Sequence, residues 1–195
     1  MVTVSKASRS PAFIPPMAAQ TVKVLPEGEE WLYEVKLDGY RALLMKDSER
    51  IQIRSRNHKD LTRMYPTVSA AGQRLMAKQA VIDREIVAAD KEGHRSFQAL
   101  QHRGYHPTHQ IAFYAFDLPH LDGVDLTQEP IEERRSRLRE RLAADTIIRY
   151  LKDVPGTGTG PDILLAVRAA GLEGIVAKRK VRTMSRVSAQ TTGRS

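Results

Sequence analysis

Six short apolar runs punctuate the chain, at residues 31–36, 41–45, 51–55, 80–88, 110–117 and 174–178. Each is rich in Val, Ile, Leu or aromatic residues and has the length of a strand. The first three are separated only by Asp38-Gly39 and by the polar stretch 46–50, connections too short for a crossover helix. They are therefore expected to be antiparallel neighbours. Helical spacing lies between the apolar runs. Pro66 suits the first turn of a helix carrying Val68, Leu75 and Met76. Ser96 is placed to cap a short helix through Leu100. Pro130 opens a charged helix with Ile131, Leu138 and Leu142 on one face. Pro161 opens another, with Ile163, Leu164 and Val167, stopped by Gly171. Strand groups with helices interspersed predict an α+β domain.

Composition sharpens this picture in three ways. At 195 residues, 41% apolar and 28% charged, the chain can build one ordinary core with a small appendage. It has no run of 18 apolar residues, so no membrane-spanning helix is expected. It has no cysteine, which excludes disulfides and thiolate metal sites and fits a cytoplasmic protein. The formal net charge of +8 favours a polyanionic partner such as nucleic acid or nucleotide phosphate. After Glu173 no acid follows, while Lys178, Arg179, Lys180, Arg182, Arg186 and Arg194 do. Residues 1–10 read as a frayed, basic terminus without the apolar segment of a secretion signal. Residues 155–161, PGTGTGP, lack the Gly-Lys-Ser/Thr ending of a phosphate loop and read as a plain connection.

The candidate chemistry centres on Glu34-Val35-Lys36-Leu37-Asp38-Gly39-Tyr40-Arg41. A protonated lysine is a poor nucleophile, and holding one neutral at pH 7 costs roughly 4–5 kcal/mol. Burial or nearby cations lower that cost, and Arg41 stands across the turn from Lys36. Alone, the pattern Lys-x-Asp-Gly-x-Arg arises by chance in roughly one in a thousand chains of this length. Its companions decide the matter. Arg56 ends the third apolar run. Asp83 and Glu85 alternate on the fourth and so share one face. Acids there are costly to bury without a cation, and the plainer reading is an edge strand with a salt bridge. Phe116 lies in an aromatic run, and Glu173 and Lys178 open and close the last strand.

Together these motifs resemble the nucleotidyltransferase signature of ATP-dependent DNA ligases, RNA ligases and mRNA capping enzymes, and most closely bacterial end-joining ligases. The resemblance also takes in Phe13-Ile14-Pro15-Pro16-Met17-Ala18, Ser55-Arg56-Asn57 with Asp60-Leu61-Thr62, FYAFDLPHLDG at 113–123, and Pro130-Ile131-Glu132-Glu133-Arg134-Arg135. It covers about residues 11 to 180. It implies an ATP-grasp-like nucleotidyltransferase fold, two antiparallel sheets flanked by helices around a nucleotide cleft. It implies that Lys36 attacks the α-phosphorus of ATP, that AMP passes to the 5′-phosphate of a DNA nick, and that the 3′-hydroxyl then seals the strand. It implies ATP with Mg²⁺ or Mn²⁺. By position, Glu34 reads the adenine amino group, Arg41 and Arg56 contact ribose and phosphate, and Phe116 stacks on the base. Lys178 holds the α-phosphate, Glu85 binds ribose or metal, Glu173 binds metal, and Asp38 and Gly39 shape the turn behind the nucleophile. The implied partners are nicked or broken duplex DNA, a Ku-like end-binding protein and an oligonucleotide-binding barrel. The implied location is the bacterial cytoplasm, at the nucleoid.

The sequence departs from that pattern twice. Arg84 stands where the family has glycine, and is expected to pair with Asp83, block the cleft, or face harmlessly away. Residues 181–195 read as a divergent basic tail without the family's Trp-Leu-Lys-x-Lys strand or the barrel. Weak ATP binding and self-adenylation that is slow or absent are therefore expected of this chain alone. Other readings of the same residues are a catalytically impaired remnant, a nucleic-acid-binding module without chemistry, and an RNA ligase or capping-type enzyme.

Overall fold

The structure, a computed structural model, describes residues 10–89, 100, 110–142, 147–154, 160–169, 172–181 and 184. The proposed Ser96 cap, the connection at 155–159 and the stop at Gly171 lie outside them.

The strands form where the apolar runs are. They are β1 (Trp31–Val35), β2 (Tyr40–Asp47), β3 (Arg50–Ser55), β4 (Gln79–Ala89), β5 (Gln110–Leu121), β6 (Val124–Asp125), β7 (Ile148–Tyr150) and β8 (Ile175–Arg179). Three helices are described in full: α1 (Pro66–Gln73), α2 (Ile131–Arg141) and α3 (Gly160–Ala169). The larger sheet runs β3-β2-β4-β5-β6, with β7 alongside β5. Its pairs are antiparallel except β5–β7, which is parallel. The smaller sheet is the antiparallel pair β1–β8.

One expectation is corrected here. β1 is not the hairpin neighbour of β2, for its partner is β8, with Glu34 opposite Val176 and Val35 opposite Ile175. The turn after Lys36 thus carries the chain from the small sheet to the large one. β4 is also no edge strand, since β2 and β5 flank it. Its acids are therefore enclosed by neighbours on both sides.

Alternation along the strands divides the core. Ala42, Leu44, Ile53, Ile82, Ile86 and Phe113 face one side of the large sheet, where Val68 and Ala71 of α1 and Leu138 of α2 cover them. Leu43, Met45 and Val81 face the other side and are covered by Phe13. The small sheet turns Tyr33 toward Ile163 of α3 and Leu25. The alternate residues of β1, Leu32 and Glu34, therefore face inward, toward the large sheet. Helix ends are satisfied locally. Pro66 begins α1, and buried Lys46 donates to the carbonyls of Gln73, the last residue of the helix, and of Leu75 just past it, at 2.7 and 3.0 Å. Glu132 and Glu133 in the first turn of α2, and Arg139 and Arg141 in its last, match the helix dipole.

Arg84 neither pairs with Asp83 through a hydrogen bond nor enters the cleft. It points into the main core, fully buried, with its guanidinium 3.4 Å above the Phe113 ring. Its Nη1 donates to the Ile82 carbonyl at 3.3 Å, while Nε and Nη2 find no acceptor among the described residues. Burial pulls its pKa well below the ordinary guanidinium value. A buried, poorly compensated charge destabilises the fold, and an apolar side chain of similar length removes that penalty. Arg84→Met is expected to raise stability by about 1–3 kcal/mol. A chemical-denaturation midpoint lower than that of the parent chain would contradict this.

Among the described residues no helix is long and apolar enough to cross a membrane. The described chain reaches Met184, which is buried and donates its backbone N–H to the Thr127 carbonyl at 2.7 Å.

Candidate active site

The site lies where the inner face of β1–β8 meets the larger sheet. Lys36 follows the last residue of β1, and its backbone N–H donates to Gly174 O at 2.8 Å. Its ammonium forms an ion pair with Glu173, and both side chains are about half exposed. The two ends of the small sheet thus bring the candidate nucleophile and a candidate metal ligand together, although they lie far apart in sequence.

The chain then turns through Asp38 and Gly39 onto β2. Gly39 sits against β4: a Cβ there would fall on the Ile86 carbonyl oxygen and 3.0 Å from Glu85 Cγ. Only glycine lets the turn approach so closely. Two residues on, Arg41 makes a bidentate pair with Asp83, Nε–Oδ1 3.1 Å and Nη2–Oδ2 2.7 Å. Its Nη1 donates to the Met17 carbonyl, and its guanidinium lies 5.5 Å from the Phe116 ring centre. Burial works against the charge of Arg41, but the attraction of Asp83 outweighs it and holds the pKa above the ordinary value.

Glu85 stands opposite Arg41 in the β2–β4 register. Burial pushes its pKa up to about 7, assisted by Asp83 and Asp38 and opposed by Arg41 and Lys36. The carboxyl binds its proton more tightly in the folded than in the unfolded chain, whose value lies near 4.5. The stability that the protonated form contributes is complete below that unfolded value and is lost as pH rises through about 7. The parent chain in chelator should therefore lose stability between pH 5 and pH 7.5, by on the order of 2–3 kcal/mol from this group. Glu85→Gln should flatten that slope. An unchanged slope in melts across this range would contradict the assignment.

A second cluster lies beside the first. Glu34 is 2% exposed. Its Oε1 pairs with Arg135 of α2, and its Oε2 lies 2.5 Å from Lys178 Nζ. Lys178 and Glu34 share one face of the two-stranded sheet as diagonal neighbours. The Lys178 ammonium also sits 4.3 Å from the centre of the Phe116 ring. Phe116 is thus an aromatic platform flanked by two cations. Its neighbour Asp117 is buried against Arg134, through Nε and Nη2 at 2.7 and 2.9 Å. Arg56 is exposed, and its backbone N–H donates to Arg41 O at 3.4 Å, which places the end of β3 at the same pole.

Of the residues given site roles from the sequence, Lys36 and Glu173 form one contact pair, and Glu34, Lys178, Phe116 and Arg41 form one chain of contacts beside it. Sequence reasoning did not assign Arg134, Arg135 or Asp153 to the site. The signal was present: Ile131, Arg134, Arg135 and Leu138 follow the i, i+3, i+4, i+7 stripe, so two arginines occupy the buried face of α2. Both of these buried arginines meet acids, Arg134 pairing with Asp117 and Arg135 with Glu34.

Metal ligation can be tested against the donors present. Among the described residues no group of three or more His, Asp or Glu side chains converges as a ready cage. A hard ion that keeps several waters and takes one or two carboxylates plus phosphate oxygens fits Glu173 and Glu85.

A lysine between two sheets, beside paired cations and acids, is the arrangement of a nucleotidyltransferase domain, and the comparisons bear that class out. The chain belongs to the ATP-dependent DNA ligase domain family, whose model matches residues 16–188. It is 36% identical over 154 residues to the multifunctional non-homologous end joining DNA repair protein LigD of Mycobacterium tuberculosis, covering 79% of this chain and 20% of that protein. It is 32% identical over 180 residues to DNA ligase C of the same species, covering 85% of this chain and 49% of the relative. The chain therefore spans a fifth to a half of these relatives. Among solved structures, mycobacterial DNA ligase D complexed with ATP and MES superposes with a TM-score of 0.72 at 32% identity, covering 87% of this chain and 55% of that one. Chlorella virus DNA ligase-adenylate shares the fold with a TM-score of 0.61 at 17% identity, covering 89% and 64%.

Proposed function

We propose that this chain performs the adenylation step of an ATP-dependent DNA ligase, with Lys36 as the residue that takes AMP. The observation that carries the reading is the placement of Lys36 beside Glu173 and within electrostatic reach of Glu85, with Arg41 and Lys178 gathered on the Phe116 ring nearby.

The neutral Lys36 amine attacks the α-phosphorus of ATP. A P–N bond forms, the bond from that phosphorus to the pyrophosphate oxygen breaks, and the amine loses a proton. Phe116 stacks on the base, Glu34 accepts from its amino group, and Arg41 and Arg56 hold ribose and phosphate. Lys178 reaches the α-phosphate after leaving Glu34. Glu173 and Glu85 hold Mg²⁺ or Mn²⁺, which when bound neutralises phosphate charge. An oxygen of the 5′-phosphate at a break in duplex DNA then attacks the phosphorus of lysyl-AMP, breaking the P–N bond and returning the amine. The 3′-hydroxyl attacks that activated 5′-phosphate, AMP leaves, and the strand is sealed. The net charge of +8 suits that polyanion. A Ku-like end-binding protein and an oligonucleotide-binding domain are the partners this reading implies, and the nucleoid is its place of action.

The test compares α-labelled with γ-labelled ATP in the presence of Mg²⁺. Label is expected to stay on the denatured chain from the α position only. Retention from the γ position, or from neither during prolonged incubation, would overturn the reading.

A further inference from the structure

Arg135 is buried to the same degree as the core hydrophobics, at 1% exposure, yet no step above uses it. Its guanidinium gathers four acceptors from three stretches of chain. Nη1 donates to Glu34 Oε1 and to the Phe116 carbonyl, the latter at 3.1 Å. Nη2 donates to the Leu151 carbonyl at 2.8 Å and to Asp153 Oδ1. One planar group therefore fixes both the backbone of the aromatic platform and the rotamer of the buried acid next to it. The rigid fork of a guanidinium sets direction as well as distance, which an ammonium on a flexible stem does not.

The consequence concerns the free oxygen of Glu34. With Oε1 held by Arg135, Oε2 is the atom left for another donor, and Lys178 takes it at 2.5 Å while lying over the Phe116 ring. An ionised carboxylate only accepts hydrogen bonds. A base stacked on Phe116 takes the position of the Lys178 ammonium and presents its edge to that oxygen. A 6-amino group then replaces the ammonium as donor, and a purine without one leaves the acid unpaired.

We propose that Arg135 is a positioning residue for base recognition, holding Glu34 at the edge of the Phe116 platform so that the site selects a purine bearing a 6-amino group. The proposal rests on the nucleotide reading above and assigns the source of its base specificity. Asp153 serves the same end one step further out: its half-exposed carboxylate pairs with Nη2 of Arg135.

The experiment measures equilibrium binding of ATP and of purine riboside triphosphate, identical except for the missing 6-amino group, to the parent chain and to Arg135→Lys. The parent chain should favour ATP by about tenfold or more, the scale of one hydrogen bond to a charged acceptor. In Arg135→Lys that preference should shrink to within about threefold, ATP losing more affinity than the analogue, since any weakening of stacking on the platform is common to both. A role confined to holding the fold together would weaken both nucleotides alike, so a preserved ratio overturns the proposal. Asp153→Asn removes the half-exposed partner and leaves the core untouched. It should move the ratio in the same direction by a smaller factor, which keeps the test decisive if Arg135→Lys does not fold. Equal binding of the two nucleotides by the parent chain overturns the proposal but leaves adenylation standing. Binding of neither overturns both.

Discussion

Replacing Lys36 by alanine is expected to abolish adenylation while leaving the chain folded. The two effects separate because of where the side chain sits. Lys36 is half exposed and its side chain pairs with an equally exposed acid. Exposed ion pairs contribute about 0–1 kcal/mol, so melts of the variant should nearly overlay those of the parent. The chemical loss is of another order. Without the amine no P–N bond can form, and nucleophile deletions cost a thousandfold or more in order of magnitude. Lys36→Arg sharpens the point. It keeps the positive charge facing Glu173, but a guanidinium stays protonated and cannot attack. Equal inactivity of the two variants assigns the effect to nucleophilicity. Recovery of labelling in the arginine variant would assign it to charge.

The second large effect falls on a residue without a side chain. Gly39→Ala drives a methyl group into the Ile86 carbonyl and against Glu85. Ile86 lies in β4, paired with β2 and β5 on either side, so its carbonyl cannot give way freely. Overpacking of this kind costs about 1–3 kcal/mol. The larger result is displacement of the turn that carries Lys36. A shift of about 1 Å in a reacting group costs on the order of a hundredfold in rate. Labelling should therefore fall by about that factor while most of the population remains folded at 25 °C. Single-turnover labelling beside a denaturant midpoint would read both quantities, and a rate within threefold of the parent would contradict the close-approach argument.

How much of this was legible in sequence differs between elements. Strand positions were readable because the apolar runs are compact and bounded by polar stretches. β6 and β7, of two and three residues, are too short to leave a pattern. Pairing was less readable. Short connections made β1 and β2 look like a hairpin, yet β1 pairs with β8 from the other end of the chain. Nothing local distinguishes a tight turn within a sheet from one that crosses between sheets. α2 shows the same limit in side chains. Its apolar positions located the helix, but its function-bearing face carries Arg134 and Arg135, whose acidic partners come from β5, β1 and the stretch after β7. The surroundings of Arg84 depended likewise on tertiary structure. Strand alternation turned it away from Glu85, but whether the opposite face was solvent or core required the helices that cover it.

Incubation of the full chain with saturating ATP and Mg²⁺, followed by peptide mapping under conditions that preserve P–N bonds, locates the modified residue directly. A mass gain of one AMP on the peptide containing Lys36 is expected. If the nucleotide instead resides on another residue, or no peptide gains it after exhaustive incubation, then Lys36 is not the amine that carries AMP.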